Sequence, residues 1–282
     1  MRCIDAALIT LLLAICVIMA CYIAMQATAA GGAKATGGAA SARSLHRLRF
    51  PRHIVEYGAR HRTRDVDYAT LEMAPVDLKG HSPTVYSSLM PWHVAGAKRV
   101  LLEELAEAPA TILDASAHVG VDSTLLLSLF PKANLTAVEI DPATAAVTAR
   151  NLARAGARAR VLVGDGAARV AAGPATDLLY LDPPWGGTGA AERAAAPPLS
   201  LGGVPLPSLV AAALDAGYGR VVVKLPRDTD TAAFVAAAAA AGASGARDKI
   251  TGRVRPVCDA RRPADCETHP GYWLAFFTKS AA

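Results

Sequence analysis

Asp182, Pro183, Pro184 and Trp185 follow one another after a short apolar run, and Gly186 and Gly187 come next. Prolines cannot continue a sheet's hydrogen-bond ladder, so a strand ends here with its backbone direction fixed. These residue types suit one kind of chemistry. An amine on an aromatic base is a poor nucleophile, because its lone pair is delocalised into the ring. Acceptors aimed at its N–H groups return electron density to nitrogen and hold it in line with an electrophile. The Asp182 carboxylate and the Pro183 carbonyl are candidate acceptors, and the Trp185 indole offers a stacking face worth roughly 1–3 kcal/mol. Proximity and alignment would supply most of the remaining acceleration. The competing reading of Trp185 is a structural indole that plugs the top of a sheet.

Three more acids close apolar runs in order. Asp114 lies in 111–115, Glu139 in 134–140 and Asp165 at the end of 159–165, while Asp182 closes 176–182. Taken singly, each acid is more readily a helix N-cap or a turn residue. Taken together they form a ladder of carboxylates at strand ends, and the second is placed to take both hydroxyls of a ribose. The turn after the first run, 116–120, reads Ser-Ala-His-Val-Gly. It has one glycine, Gly120, and is not the G-x-G-x-x-G of a dinucleotide binder.

The elements that must carry these residues alternate. Apolar strands at 111–115, 134–140, 159–165, 176–182 and 220–225 are separated by helical stretches such as 121–130 and 142–156, and 272–278 is a final aromatic strand. Pro142 suits a helix start and Gly156 a helix end. This order predicts an α/β fold with a doubly wound, mostly parallel sheet. Ligands in such sheets bind at the carboxyl ends of the strands, where the acids lie.

The acid ladder is similar to that of class I S-adenosylmethionine-dependent methyltransferases. That resemblance implies a Rossmann-like seven-stranded sheet with helices on both faces. It implies S-adenosylmethionine as cofactor, with Asp114, Ser116 and Gly120 around its methionine part, Glu139 on the ribose, Asp165 at the adenine amine and Asp182 nearby. "PPWGG" (183–187) and "LPRDTD" (225–230) together resemble two motifs of the trimethylguanosine synthase family, the RNA cap guanine-N2 methyltransferases. The likeness covers about residues 80 to 280. It implies transfer of methyl groups to N2 of a 7-methylguanosine cap, with Asp182, Pro183 and Trp185 catalytic. Trp185 would stack on the cationic base, Arg227 would face cap phosphates, and Tyr86 would touch the cap. Asp182 stands where that family carries serine, which moves the motif towards adenine-type enzymes. The alternatives are an amino-N-methyltransferase for adenine in DNA or guanine in structural RNA, and a membrane-tethered binding protein on an inactive scaffold.

The chain has 282 residues, with 29 Lys+Arg against 24 Asp+Glu. Residues 6–25 carry no charge, long enough for a membrane-spanning helix. The excess of Lys and Arg after them would place the main domain in the cytosol; without the anchor it would be nuclear or cytoplasmic. A cleaved signal and an over-extended start are the other readings. The expected organisation is an anchor or signal at 1–29, a flexible basic linker at 30–70, and a methyltransferase domain at 71–282. The basic arm, 43–64, suits RNA phosphates or anionic lipid equally. Cys258 and Cys266 are spaced too widely for a zinc site, so no metal is expected, and free thiols are the expectation there.

Overall fold

The computed structural model describes residues 76, 91–155, 158–185, 199–242, 249–258, 266 and 271–280, all within one compact unit, Arg47–Ala282. The 6–25 segment, the linker, the 43–64 arm and Tyr86 lie outside the described residues. Among the described residues no helix is long and apolar enough to cross a membrane.

The helix α1 (Pro91–Glu104) leads into β1 (Thr111–Asp114), α2 (Val121–Leu129), β2 (Asn134–Glu139), α3 (Pro142–Arg154), β3 (Ala159–Val163), α4 (Gly166–Ala172) and β4 (Leu178–Leu181). A short hairpin of β5 (Ser200–Leu201) and β6 (Val204–Pro205) precedes α5 (Leu206–Asp215). The chain continues with β7 (Arg220–Pro226), α6 (Thr231–Gly242), β8 (Lys249–Val257) and β9 (Tyr272–Ser280).

Seven strands form one sheet in the order β3-β2-β1-β4-β7-β9-β8. Neighbours from β3 to β7 pair in parallel, and β9 runs antiparallel to both β7 and β8. This is the mostly parallel, doubly wound sheet that the alternation implied, and its seven strands are the number that the resemblance to class I methyltransferases implied. Successive strands leave β1 in opposite directions, towards β2 and towards β4, which makes the β1–β4 boundary the switch point.

Burial on both faces explains why the central strands are almost continuously apolar. Ile112, Leu135, Leu178, Tyr180, Val222 and Leu274 pack with α1, α2 and α3. Leu113, Leu179, Leu181, Val223 and Phe277 pack with α4, α5 and α6. The period of two has a consequence at the strand ends. Asp114, Tyr180 and Lys224 follow Ile112, Leu178 and Val222 by two residues, so all three share the face that α2 covers.

Local signals set the helix starts. Asp141 caps α3 by accepting the Thr144 N–H at 2.7 Å, with Pro142 in the first turn. Asp165 caps α4 by accepting the Ala167 N–H at 2.8 Å. At the end of β8 the structure corrects the expectation of free thiols: Cys258 and Cys266 are joined by a disulfide, with their Cα atoms 5.2 Å apart.

Candidate active site

The turn after β1 carries the first group of predicted residues. Asp114 is 1% exposed, yet it caps no helix. Its Oδ1 accepts the Ser116 N–H at 3.2 Å and its Oδ2 accepts the Ser123 hydroxyl at 2.5 Å. Burial pushes its carboxyl up to about 7, against the Ser123 hydrogen bond. The glycine-poor turn is accommodated by His118, which takes a left-handed φ of 47°. Such a conformation is uncommon in a residue with a Cβ, and its carbonyl is held by the Thr148 hydroxyl. Gly120 has φ 83°, and a Cβ there would come within 3.0 Å of the Thr148 side chain. Its backbone shape and its packing against α3 both require glycine.

Glu139 ends β2, where its Oε1 accepts the Asp141 N–H at 2.9 Å. Beside it, Ile140 is 69% exposed, and Val163 at the end of β3 is 59% exposed. A carboxylate next to uncovered apolar side chains fits a ribose followed by a flat base. Asp165 is drawn to the same rim. Its carboxylate lies beside Gly202 of the hairpin, where a Cβ would sit 2.5 Å from each oxygen. These acceptors and apolar surfaces fit an adenosyl group.

The structure brings Asp182 to the switch point. Its backbone N–H donates to the Ser116 hydroxyl at 2.7 Å, which ties the strand end after β4 to the turn after β1. Its Oδ2 accepts from Lys224 Nζ at 2.9 Å. The same ammonium reaches Asp122 at 3.1 Å. Burial works against the charge on Lys224, but Asp122 and Asp182 outweigh it and hold the lysine well above its ordinary range. Burial also pushes Asp182 up to about 8; Lys224 opposes this and Asp122 adds to it. Two carboxylates share one ammonium, so protonating Asp182 relieves an excess of negative charge.

Pro183 is buried and Pro184 exposed. Trp185 is half-buried against the α1–α3 side of the core, 6.4 Å from the Tyr272 ring and 5.8 Å from Lys224 Nζ. Its indole N–H is enclosed and has no hydrogen-bond partner among the described residues. Tyr272 itself lies 5.0 Å from Lys224, and burial raises its hydroxyl well above the usual tyrosine range. The indole therefore has a cation and a ring packed against it and is partly open besides. Arg227 is exposed at the carboxyl end of β7, and its carbonyl accepts the Trp273 indole N–H at 3.0 Å.

Sequence reasoning missed Lys224, Asp122, Ser123 and Tyr272. A signal for Lys224 was available: it interrupts the apolar run "RVVVKL" at a position of inward parity. A lysine buried there needs a carboxylate partner. Asp122 had no such signal, since an acid in the first turn of a helix is ordinary.

No family model matches the chain. A stretch of 85 residues, 29% of the chain, is 39% identical to ribosomal RNA small subunit methyltransferase B of Sodalis glossinidius (strain morsitans). The chain spans about a fifth of that relative's length, 20%. Among solved structures, it resembles a provisionally assigned RNA methyltransferase from Pyrococcus horikoshii with TM-score 0.45 and 17% identity, over 75% of this chain and 93% of that one. TrmN from Thermus thermophilus gives TM-score 0.42 and 18% identity, over 67% of this chain and 49% of that one. At scores this low the likenesses carry no argument. The strand order with its single reversed strand is that of a Rossmann-like methyltransferase fold.

Proposed function

We propose that the chain is an S-adenosylmethionine-dependent RNA methyltransferase that acts on the exocyclic amine of a guanine, namely N2 of a 7-methylguanosine cap. The observation that carries this reading is Asp182, placed between the β1 turn through Ser116 and the aromatic pair Trp185–Tyr272. A hydrogen-bond acceptor, a fixed backbone and a stacking face meet at the switch point of a doubly wound sheet.

Glu139 would hold the ribose, with Ile140 against the base and Asp165 at the adenine amine; Asp114, Ser116 and the turn to Gly120 would line the methionine part. When bound, S-adenosylmethionine supplies an electrophilic methyl group, the electrons of the broken C–S bond remaining on sulfur. Asp182 and the Pro183 carbonyl would accept from the amine and aim its lone pair, and Asp182 would receive the proton that nitrogen sheds. Trp185 would stack on the base and exclude water from one face. Arg227, exposed at the β7 end, would meet phosphate.

A second reading is an amine of adenine or guanine inside structural RNA. It is favoured by the carboxylate at Asp182, where the cap family carries serine, and it agrees with the name of the ribosomal RNA methyltransferase relative. The test uses the full chain with labelled S-adenosylmethionine and three RNAs: a 7-methylguanosine cap, an unmethylated guanosine cap, and no cap. Transfer to the first alone, mapped to N2 by mass, is expected. Equal transfer to the uncapped RNA would replace the cap reading with the second, and transfer to none would remove both.

A further inference from the structure

Six residues close a ring around the strand ends. Ser123 donates to Asp114, which accepts from the Ser116 N–H; the Ser116 hydroxyl accepts from the Asp182 N–H. Asp182 accepts from Lys224, which also binds Asp122, the chain neighbour of Ser123. Lys224 is 2% exposed, and the Asp182 side chain keeps 24% of its surface open. Lys224 engages Oδ2 of Asp182, and no donor among the described residues bonds to Oδ1. The carboxylate is thus anchored by its backbone N–H on one side and by one oxygen on the other.

From this geometry we infer that Lys224 and Asp122 are positioning residues, which fix the charge and aim of Asp182 so that its second oxygen meets an N–H of the substrate base. The inference rests on the reading of Asp182 as the amine acceptor. A carboxylate held only by its own side-chain torsions would swing between rotamers and lose alignment. An ammonium without a second carboxylate would neutralise Asp182 and weaken it as an acceptor. Once Asp182 is ionised, the three groups carry one net negative charge with Asp122 present, which leaves Asp182 electron-rich beside a developing positive charge on nitrogen. The groups that face Asp182 are therefore Lys224 from β7, Asp122 from α2, Tyr272 from β9, and Asp114 and Tyr180 from the neighbouring strands.

The two partners pull in opposite directions, which makes the inference testable by sign. Asp122→Asn removes the carboxylate that competes with Asp182 for Lys224, so Asp182 ionises more easily. Lys224→Met leaves two carboxylates facing each other, so Asp182 ionises less easily. The probe is site-resolved carboxyl titration by NMR of the full chain, labelled on aspartate, with Asp182→Asn identifying the signal. The Asp182 midpoint should fall in Asp122→Asn and rise in Lys224→Met, each by about one unit or more. The double variant should lie between them. The acid limb of methyl transfer should move with the midpoint, while a merely structural role would lower the whole profile without moving its limb. Lys224→Met places charge stress on the core, so Asp122→Asn, which keeps the ammonium, decides the matter if the former does not fold. An unmoved Asp182 midpoint in Asp122→Asn would overturn the inference. Shifted midpoints in a wild-type chain that methylates no RNA would instead overturn the proposed function and leave the charge assignment standing.

Discussion

The Ser116 hydroxyl accepts the backbone N–H of Asp182 at 2.7 Å. This single contact joins two loops that the sequence separates by 66 residues. One loop is the expected seat of the cofactor's methionine part, the other presents the Asp-Pro-Pro-Trp strand end. Because β1 and β4 are neighbours in register, with Asp114 opposite Tyr180, the two loops emerge side by side. Ser116 then converts neighbourhood into attachment.

Ser116→Ala removes the acceptor and strands a part-buried N–H, a loss of about 1–3 kcal/mol in global or local stability. Turnover should fall more than cofactor affinity, since the freed end is the one that carries Asp182. Denaturant midpoints and steady-state kinetics on the same preparation measure both. An unchanged turnover with an unchanged midpoint would mean that water replaces the hydroxyl at no cost.

Trp185 should matter for RNA and not for S-adenosylmethionine. Trp185→Ala removes a stacking face worth roughly 1–3 kcal/mol, which is about a 5- to 150-fold loss in RNA affinity. Trp185→Phe should recover part of it. Calorimetric titration with each ligand separates the effects. Equal losses for both ligands would identify the indole as a support for the core, consistent with its packing on the α1–α3 side.

Asp114 should make the fold less stable as pH rises. Its carboxyl is raised from 3.8 to about 7, chiefly by burial. Between those values the unfolded chain is ionised while the folded one keeps its proton. Folding therefore binds a proton, and stability declines through this window and levels off above about 7. The contribution is at most about 4 kcal/mol. Asp114→Asn removes it, so the variant's urea midpoints at pH 5 and pH 7 should lie closer together than the wild type's. A spacing equal to that of the wild type would place the titration elsewhere.

Much of the frame was legible because burial on two faces leaves an uninterrupted apolar signature. The run at Leu178–Leu181 and the Asp-Pro-Pro that ends it could be read directly. β8 was not legible: Gly252, Arg253, Arg255 and Pro256 break the pattern, as an edge strand with an exposed side permits. α4 escaped notice for a similar reason, being only seven residues of small side chains behind its Asp165 cap. At the site, the strand-end acids could be named because their positions follow from strand ends. Their partners could not. Lys224 and Asp122 meet only because β7 lies two strands from β1 and α2 crosses above them, a fact of sheet order that no local pattern encodes.

The hairpin between β4 and α5 supplies the sharpest test of the cofactor rim. Gly202 and Gly203 form its tip, with φ values of 55° and 77°. Alanine at either position meets the same left-handed penalty, roughly 1–2 kcal/mol. Their surroundings differ. A Cβ on Gly202 would lie 2.5 Å from both Asp165 carboxylate oxygens, while one on Gly203 meets nothing within 4 Å. Gly202→Ala must therefore displace either the hairpin or Asp165, whose Oδ1 also holds the first turn of α4. Gly203→Ala strains the backbone alone. If Asp165 contacts the adenine amine, Gly202→Ala should weaken S-adenosylmethionine binding by about tenfold more than Gly203→Ala, a difference of about 1.4 kcal/mol. Equal affinities in the two variants, measured by calorimetry with matched melting temperatures, would confine Asp165 to its role as a helix cap.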